Sequence, residues 1–340
     1  MNRNKSTVLT LACMVVGNAA WCAANDEAAS PEALLSRARQ QEEIWTEGTP
    51  PMSMRAEVQV LDARGALASG DYTFDWVSPS QWREVIRFRG YEQLRVGVAK
   101  GYWQKSGLSY RPEAIFLLST ILHLKEALSV GSKQTLGKVR RREKGGVRQQ
   151  CTEVKWKANP DRTFCFDDAS GALVSIEYPS GGGANPLGTD RVEYGAFKTV
   201  EGKLIPYEIR ASRDRKIVAS VKVLEIARST ESNPAAFTVP TNAELWPQCE
   251  DMRPAEPIGK MPPKYPDSAK AKHEQGRVVF YAVIESDGTL SHVAISQRAA
   301  PDLDAAAAGA ISHWRYKPAA CGQTPIRVET SIPVNFTLSQ

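Results

Sequence analysis

The stretch GRVVFYAVIESDGTLSHVAISQ, residues 276–297, decides the fold of the C-terminal part of this chain. Arg277 to Glu285 carries apolar side chains at odd and even positions alike, which predicts a strand covered on both faces. Asp287-Gly288 is a dipeptide typical of tight hairpin turns, and Leu290 to Ser296 returns along the first strand. The stretch therefore predicts an antiparallel hairpin whose first strand is buried on both sides.

Helices are predicted on both sides of this hairpin, and a strand closes the domain. Tyr265-Pro266 opens a short helix before the hairpin, and Pro301 suits the first turn of a longer helix after it. The longer helix has one apolar stripe at helical spacing, formed by Leu303, Ala306, Ala307, Ala310 and Trp314. After Trp314-Arg315-Tyr316-Lys317-Pro318, the region from Ile326 to Leu338 is predicted as the closing strand.

This order of motifs resembles the C-terminal domain of TonB proteins over about residues 260–338. The resemblance implies a small α+β domain at 260–340, at the periplasmic end of an energy transducer. In that family the final strand accepts a short extended segment, the TonB box, from outer-membrane receptors. The resemblance thus implies a TonB-dependent receptor or another envelope protein as partner, bound by strand addition along Val334, Asn335, Phe336, Thr337 and Leu338.

Two features depart from a full TonB transducer. Such transducers keep an N-terminal membrane helix and have a long Pro-rich spacer. Here the Pro-rich linker is predicted at residues 240–259, and at ~3.1 Å per residue it would reach only ~60 Å. A binding adaptor therefore fits the sequence better than an energy transducer.

The first residues have the pattern of an export signal. Arg3 and Lys5 precede a short apolar run, Thr7 to Val16, and Cys22-Ala23-Ala24 offers small residues to a signal peptidase. The run is shorter than the ~20 residues that a membrane-spanning helix needs. We expect a signal peptide at 1–24, cleavage after Ala24 and a periplasmic protein. The alternative is an uncleaved leader that anchors the chain in the inner membrane.

The region 25–239 is predicted as a large antiparallel sheet. Met52 to Val60 alternates apolar and polar residues, the pattern of a half-buried strand, and further short alternating segments follow between turns. A helix is expected from Pro31 to Glu47. A second, opened by Pro112, is apolar nearly all round and would cover the sheet. The predicted class is α+β: a curved antiparallel sheet or half-barrel with a covering helix, plus the small C-terminal domain.

A curved sheet with aromatic residues on one face and an apolar helix across it resembles the LolA-like carriers of the lipoprotein-sorting family. That resemblance covers roughly residues 50–240 and implies a face that holds lipid or lipoprotein acyl chains. The implied ligand-facing residues are Tyr72, Phe74, Trp76, Trp82, Ile86 and Phe88. The alternative is that these side chains are ordinary core.

Four cysteines remain after the expected cleavage. An even number in an oxidising compartment favours disulfides. Cys151 and Cys165 flank a predicted hairpin turn at nearly equal distances, which places them opposite each other. Cys249 and Cys321 are then left as partners for each other.

The sequence lacks the patterns of common enzymes and of cofactor sites. It has no Gly-x-Ser-x-Gly elbow, no His-Glu-x-x-His helix and no metal-spaced histidine pair. We therefore expect a protein without catalytic residues, metal or cofactor. The basic cluster near Arg141 and Arg148 is better interpreted as a solvated hairpin than as a nucleic-acid site. The sequence does not indicate an oligomeric state.

Overall fold

A computed structural model describes residues 29–61, 66–107, 113–122, 134–155, 161–180, 188–229, 234–247, 249 and 252–338. The expected signal peptide lies outside the described residues.

The described chain contains short helices and many strands. The helices are α1 Pro31–Glu42, α2 Glu113–Leu122, α3 Asp267–Ala271 and α4 Pro301–Ile311, with a 3-10 turn at Pro234–Phe237. The strands of the N-terminal part are β1 Met52–Leu61, β2 Leu67–Ser78, β3 Gln81–Phe88, β4 Tyr91–Val98, β5 Gly101–Ser106, β6 Thr135–Leu136, β7 Arg140–Lys144, β8 Val147–Lys155, β9 Arg162–Asp167, β10 Leu173–Ser180, β11 Gly188–Gly195, β12 Lys198–Val200, β13 Lys203–Ile205, β14 Glu208–Arg213, β15 Lys216–Arg228 and β16 Glu244–Pro247. Those of the C-terminal part are β17 Met252–Arg253, β18 Glu256–Gly259, β19 Gly276–Ile284, β20 Leu290–Gln297, β21 Arg315–Lys317, β22 Ala319–Cys321, β23 Thr324–Ile326 and β24 Val328–Phe336.

The N-terminal part is dominated by one antiparallel sheet of 14 strands. Its order is β16-β5-β4-β3-β2-β1-β15-β14-β11-β10-β9-β8-β6, with β7 paired to β8. Neighbours along the chain are mostly neighbours in the sheet, as expected for hairpins joined by short turns. The pairing with the largest separation along the chain is that of β1, which pairs with β2 on one side and with the late strand β15 on the other. This pairing joins the two halves of the sheet.

One face of this sheet, called here the inner face, carries the N-terminal core. β1 shows the predicted alternation, since Met54, Val58 and Val60 are buried whereas Glu57 and Gln59 are exposed. The helices α1 and α2 contribute Leu34, Leu35, Ala38, Ile115, Leu118 and Ile121 to the same apolar cluster. The helices therefore cover the inner face.

Helix α1 ends earlier than predicted. The hydroxyl of Ser30 caps its start by accepting a hydrogen bond from Ala33 N, and Pro31 occupies the first turn. The helix ends at Glu42, because the next residue, Glu43, adopts an extended conformation with ψ of 96°. The prediction that the helix continued to Glu47 was wrong.

The C-terminal part is a three-stranded antiparallel sheet of order β20-β19-β24. Helix α4 packs on one face, where Val278, Phe280, Leu303, Trp314 and Ile332 are among the buried residues. The predicted hairpin turn is present at Asp287-Gly288. Gly288 has a φ of 84°, and a Cβ there would lie 1.9 Å from Tyr316 O, so only glycine fits. The α+β class predicted for the whole chain is confirmed.

The segment expected to be a linker, 240–259, is packed on both parts of the molecule. β16 joins the edge of the N-terminal sheet beside β5. β17 pairs with β22 and β18 pairs with β21, both in the C-terminal part. The segment therefore provides strands for both parts.

Both expected cysteine pairs are bonded in the structure. Cys151 lies directly opposite Cys165 in the β8–β9 pairing, with Cα atoms 4.0 Å apart. Cys249 is bonded to Cys321 with Cα atoms 5.8 Å apart, which ties the segment after β16 to β22.

Candidate functional site

The expected peptide-binding residues lie at the end of edge strand β24. This strand pairs with β19 from Gly276↔Phe336 to Ile284↔Val328, and no other described strand pairs with its outer edge. Val334 and Phe336 are buried in the C-terminal core, whereas Asn335 lies on the opposite face of the strand. Thr337 and Leu338 come after the strand ends.

The pairing of β24 with the central strand β19 shows which backbone N–H and C=O groups of β24 face outward. Val279 O accepts a hydrogen bond from Ser296 Oγ of β20 at 3.2 Å, so position 279 is directed toward β20. Pro333 lies opposite Val279 in the register. In an antiparallel pair, two residues directly opposite each other direct their backbone N–H and C=O groups either both toward each other or both away from each other. Because those of Val279 face β20, those of Pro333 face the outer edge of β24. This is the placement that a proline needs in a strand, because it has no N–H to donate.

Backbone groups of successive residues in a strand face opposite sides, which fixes the outward-facing positions on the rest of β24. Ser331 and Asn335, two residues either side of Pro333, share its outward direction, whereas Ile332 and Val334 turn toward β19. The outer edge therefore presents the carbonyl groups of 331, 333 and 335 but lacks a donor at Pro333. A strand added here would form a ladder with one hydrogen bond missing.

The second face of the C-terminal sheet packs against the inner face of the N-terminal sheet. Tyr281 and Val283 of β19 form an apolar cluster with Trp246 of β16 and Tyr102 of β5. The prediction that β19 is covered on both faces is therefore correct. Its first cover is α4, and its second cover is the N-terminal part of the same chain.

A buried polar network crosses this contact between the two parts. Glu329 Oε1 accepts hydrogen bonds from Tyr281 Oη at 2.8 Å and from Gln104 Nε2 at 3.1 Å. Glu329 Oε2 lies 3.7 Å from Arg95 Nη2. The carboxylate of the C-terminal part is thus held by residues of both parts.

Arg95 is the centre of this network on the N-terminal side. Its Nε donates to Gln104 Oε1 at 2.8 Å and its Nη1 donates to Glu84 Oε2 at 3.2 Å. The side chains of Arg95 and Glu84 are 8% and 1% exposed, so the ion pair is buried. Burial alone would lower the pKa of Arg95, but its neighbours, Tyr102 and Glu84 first among them, raise it above its usual value. The guanidinium is therefore charged inside the protein.

Further polar interactions join the two parts at the periphery of this contact. Arg327 lies 3.2 Å from Glu244 of β16, and its guanidinium stacks over the Trp246 ring at 4.6 Å. On the other side of the sheet, Arg213 Nη1 of β14 donates to Gln297 Oε1 at 3.2 Å. The C-terminal sheet is thus held at several separate points.

The six expected ligand-facing residues share the inner face, as the alternation predicts. Tyr72, Phe74, Trp76 and Ile86 are buried, and Trp82 and Phe88 are partly buried against the same cluster. The Phe74 ring lies 4.9 Å from Trp45 and 5.9 Å from Trp82. These side chains are packed against one another beneath the helices.

The polar residues of the network were not identified from sequence, although one signal was available. Trp82, Glu84, Ile86 and Phe88 share one face of β3, and Glu84 is the polar member of that row. A charged residue at an inward position of an alternating strand requires a buried partner. The identity of that partner depends on Arg95 in the adjacent strand, which alternation alone does not reveal.

The described residues form two parts, a large sheet covered by helices and a small α+β domain. Residues 261–338 match the family model of the Gram-negative bacterial TonB protein C-terminal. The predicted TonB C-terminal domain is thereby confirmed for this part of the chain. No curated protein sequence matches the chain.

Solved structures are also similar to parts of this chain. A putative outer membrane lipoprotein-sorting protein domain from Vibrio parahaemolyticus is 11% identical, with 61% of this chain and 95% of that chain covered and a TM-score of 0.41. A LolA superfamily protein from Nitrosomonas europaea is 11% identical, with 62% and 98% covered and a TM-score of 0.39. The Pseudomonas aeruginosa TonB C-terminal domain is 23% identical, with 27% and 95% covered and a TM-score of 0.23.

No helix among the described residues is long and apolar enough to cross a membrane. In the same part of the chain, no three His, Cys, Asp or Glu side chains are grouped so that they could hold a metal ion.

Proposed function

We propose that this protein is an exported binding adaptor of the bacterial envelope. Its C-terminal domain takes up an extended segment of a partner as an additional strand along β24. The partner class is an outer-membrane TonB-dependent receptor or another envelope protein. The observation that carries this proposal is the edge position of β24 in a TonB C-terminal domain, with no other described strand along its outer side.

Strand addition suits the chemistry of this edge. Main-chain hydrogen bonds to carbonyl and N–H groups supply affinity that depends little on side chains. The outward residues Ser331 and Asn335 flank Pro333, so the ladder is interrupted at one position. We expect modest affinity, because each net main-chain hydrogen bond contributes only about 0.5–1.5 kcal/mol.

The attachment of the C-terminal domain favours an adaptor over a transducer that spans the periplasm. Cys249 is bonded to Cys321, β18 is paired to β21, and Glu329 is buried against Arg95 and Gln104. These contacts keep the domain close to the N-terminal sheet. A transducer that spans the periplasm would instead need the domain to extend away on a spacer.

Peptide binding to a matched pair of variants tests the proposal. The Asn335→Pro variant loses an outward backbone N–H, whereas Asn335→Ala keeps that N–H and loses the side chain. With a fluorescent receptor-derived peptide and the full chain, we expect Asn335→Pro to bind roughly 2–10-fold more weakly and Asn335→Ala to bind nearly as the parent does. Equal binding by all three proteins would refute strand addition at this position.

The leader is also part of the proposal. We expect mature protein to begin at Asn25, because small residues at Cys22 and Ala24 follow a short apolar run. N-terminal sequencing of protein from envelope fractions tests this. Recovery of Met1 in a membrane fraction would favour the anchored form.

A further inference from the structure

The two most exposed large apolar side chains of the described residues lie close together on the C-terminal part. Ile258 in β18 is 69% exposed, and Met261, three residues later, is 65% exposed. Single exposed apolar residues are common on protein surfaces, whereas neighbouring ones often mark a place where a partner binds. The groups that surround this pair show which kind of partner fits.

Ile258 belongs to a ribbon of two strands whose outward face is polar. β18 pairs with β21, with Glu256 directly opposite Lys317. Tyr316, the middle residue of β21, is directed into the C-terminal core. Because side chains alternate along a strand, Arg315 and Lys317 lie on the outward face of the ribbon, and both are exposed.

Met261 is held beside the same ribbon by Trp314, the residue before β21. The indole N–H of Trp314 donates to Met261 O at 2.8 Å. The ammonium group of Lys260 lies 4.6 Å from the centre of the Trp314 ring. These contacts fix the segment that follows β18 next to the start of β21. The two exposed apolar side chains therefore belong to one surface.

This surface, called here the basic ribbon, consists of β18, β21 and residues 260–264. It carries four exposed cations, which are Lys260, Lys264, Arg315 and Lys317. None of the four forms an ion pair with a described residue. Exposed Arg55 of the N-terminal sheet, by contrast, is paired with Glu225. The cations of the basic ribbon therefore remain available to an anion from outside the chain.

Two carboxylates border the basic ribbon and do not balance its four cations. Glu256 lies opposite Lys317 but forms no ion pair with any residue that the structure describes. Asp287 lies in the turn next to β21, and its Oδ1 accepts from Thr289 N at 2.9 Å and from Thr289 Oγ1 at 2.6 Å. The excess of positive charge attracts anions to this surface.

The outer edge of β18 is poorly suited to pairing with another strand. Tyr316 N donates to Gly288 O at 3.0 Å, so the Tyr316 backbone is directed away from β18. Pro257 lies opposite Tyr316, and its backbone is therefore directed to the outer edge, where proline has no N–H to donate. β18 also has only 4 residues, against 9 in β24. A partner of the basic ribbon therefore contacts its side chains.

We propose that the basic ribbon binds the surface of a lipid bilayer that carries anionic head groups. Ile258 and Met261 enter the zone between head groups and acyl chains, where protruding apolar side chains need no matching pocket. The surrounding cations contact the head-group phosphates, since long lysine and arginine side chains keep their charges at that level. This surface is separate from the β24 edge, and the proposal does not depend on peptide binding there.

Co-sedimentation with lipid vesicles tests this proposal. The chain from Asn25 onward contains every described residue and lacks the expected apolar leader. We expect it to bind vesicles of phosphatidylglycerol and phosphatidylcholine, more weakly at high salt, and to bind pure phosphatidylcholine little. Ile258→Ser with Met261→Ser should weaken binding roughly 10-fold or more, because apolar burial is lost. Lys264→Gln with Lys317→Gln should weaken it roughly 5-fold for each cation removed.

Matched controls on β15 of the N-terminal sheet separate the basic ribbon from exposed residues in general. Ile217→Ser with Leu224→Ser removes two apolar side chains that are 43% and 53% exposed. Lys216→Gln with Lys222→Gln removes two exposed cations. Both control pairs should bind vesicles as the parent does. All the changed residues are exposed, so each variant should fold, which circular dichroism checks.

Several results would overturn the proposal. These are no binding to the anionic vesicles, equal binding to both kinds of vesicle, or equal losses in the control pairs. Self-association of the parent in place of vesicle binding, abolished by Ile258→Ser with Met261→Ser, would instead identify a second copy of the chain as the partner. Vesicle binding by a parent that binds no receptor-derived peptide would support the basic ribbon while refuting strand addition at β24.

Discussion

The two sheets of this protein bury their surfaces in different ways. The N-terminal sheet covers its inner face with α1, α2 and the C-terminal domain. The C-terminal sheet covers both faces, one with α4 and one with the N-terminal sheet, and leaves the outer edge of β24 unpaired with any described strand. The inner face of the first sheet is therefore covered, whereas the second sheet has an edge along which the proposed peptide would extend it.

The two interiors also differ in polarity. The C-terminal core under α4 is formed by apolar and aromatic residues such as Phe280, Leu303 and Trp314. The N-terminal interior contains buried Glu84, Arg95 and Glu42. Titratable groups in an interior make stability sensitive to pH, whereas apolar side chains do not titrate. This contrast can be tested directly.

The largest expected effect is the removal of Arg95. Arg95→Met leaves the Glu84 and Glu329 carboxylates buried without a cation, and breaking a buried pair in this way costs about 3–5 kcal/mol. Urea unfolding of the full chain measures the loss. Arg55→Met is the control, because Arg55 pairs with Glu225 at the exposed surface and such pairs contribute less than about 1 kcal/mol. Equal losses of stability in the two variants would show that the buried Arg95 network contributes no more to folding than an exposed ion pair.

The two disulfides should stabilise the protein to different extents. Cys249 and Cys321 are separated by 72 residues, whereas Cys151 and Cys165 are separated by 14. By loop-closure entropy, replacing the longer link by serine pairs should cost ~4 kcal/mol and the shorter one ~3 kcal/mol. Thermal unfolding of the two double variants compares them. A larger loss from the shorter link would indicate that the Cys249–Cys321 bond does little to hold the C-terminal domain.

Glu42 is expected to make the stability of the protein depend on pH. Burial raises its pKa from about 4.5 to about 8, although a hydrogen bond from Leu173 N acts in the opposite direction. The folded state therefore keeps a proton that the unfolded state has lost, and the free energy of unfolding falls as pH rises from about 4.5 to about 8. Glu42→Gln should remove this fall, which we expect to be roughly 4 kcal/mol over that range. Urea unfolding at pH 5 and pH 8 measures it.

The control for this pH effect is an exposed carboxylate. Glu225→Gln should leave the pH dependence of stability unchanged, because Glu225 lies at the surface. A parent protein whose stability is constant from pH 5 to pH 8 would contradict the assignment to Glu42.

The smallest expected effect concerns the edge of β24. Pro333→Ala would supply the N–H that the outward row lacks and should tighten peptide binding by roughly 2–10-fold. Val334→Pro is the contrasting variant, because position 334 turns toward β19 and a proline there should destabilise the domain itself. Fluorescence anisotropy with a receptor-derived peptide measures the first, and thermal unfolding measures the second. Unchanged affinity in Pro333→Ala would place the peptide away from this edge.

Sequence predicted the parts of the fold that depend on local patterns. The alternation in β1 and β2, the turn at Asp287-Gly288 and the stripe on α4 each follow from residues close together in the chain. The face of the aromatic row follows in the same way, because alternation fixes which side chains share a surface. The presence of a cover on both sides of β19 was also predictable from its apolar residues.

Long-range contacts could not be predicted from these patterns. Gln104 meets Glu329 across 225 residues of chain, and no local period indicates that pairing. Similarly, the prolines after residue 240 indicated a linker, yet Glu244–Pro247 adds a strand beside β5. Pro247 is tolerated there because β16 is the outermost strand in the sheet order. Tertiary packing decided both cases.

Amide hydrogen exchange of the full chain with and without a receptor-derived peptide tests the central claim most directly. Strand addition along β24 predicts slower exchange at the outward positions Ser331 and Asn335, with little change at Gln93 and Arg95 on the inner face of the N-terminal sheet. Slower amide exchange in β24, with no change at the inner face, would support binding of the peptide to the β24 edge while the two parts of the molecule stay in contact. No added protection between Arg327 and Leu338 at millimolar peptide would contradict the claim.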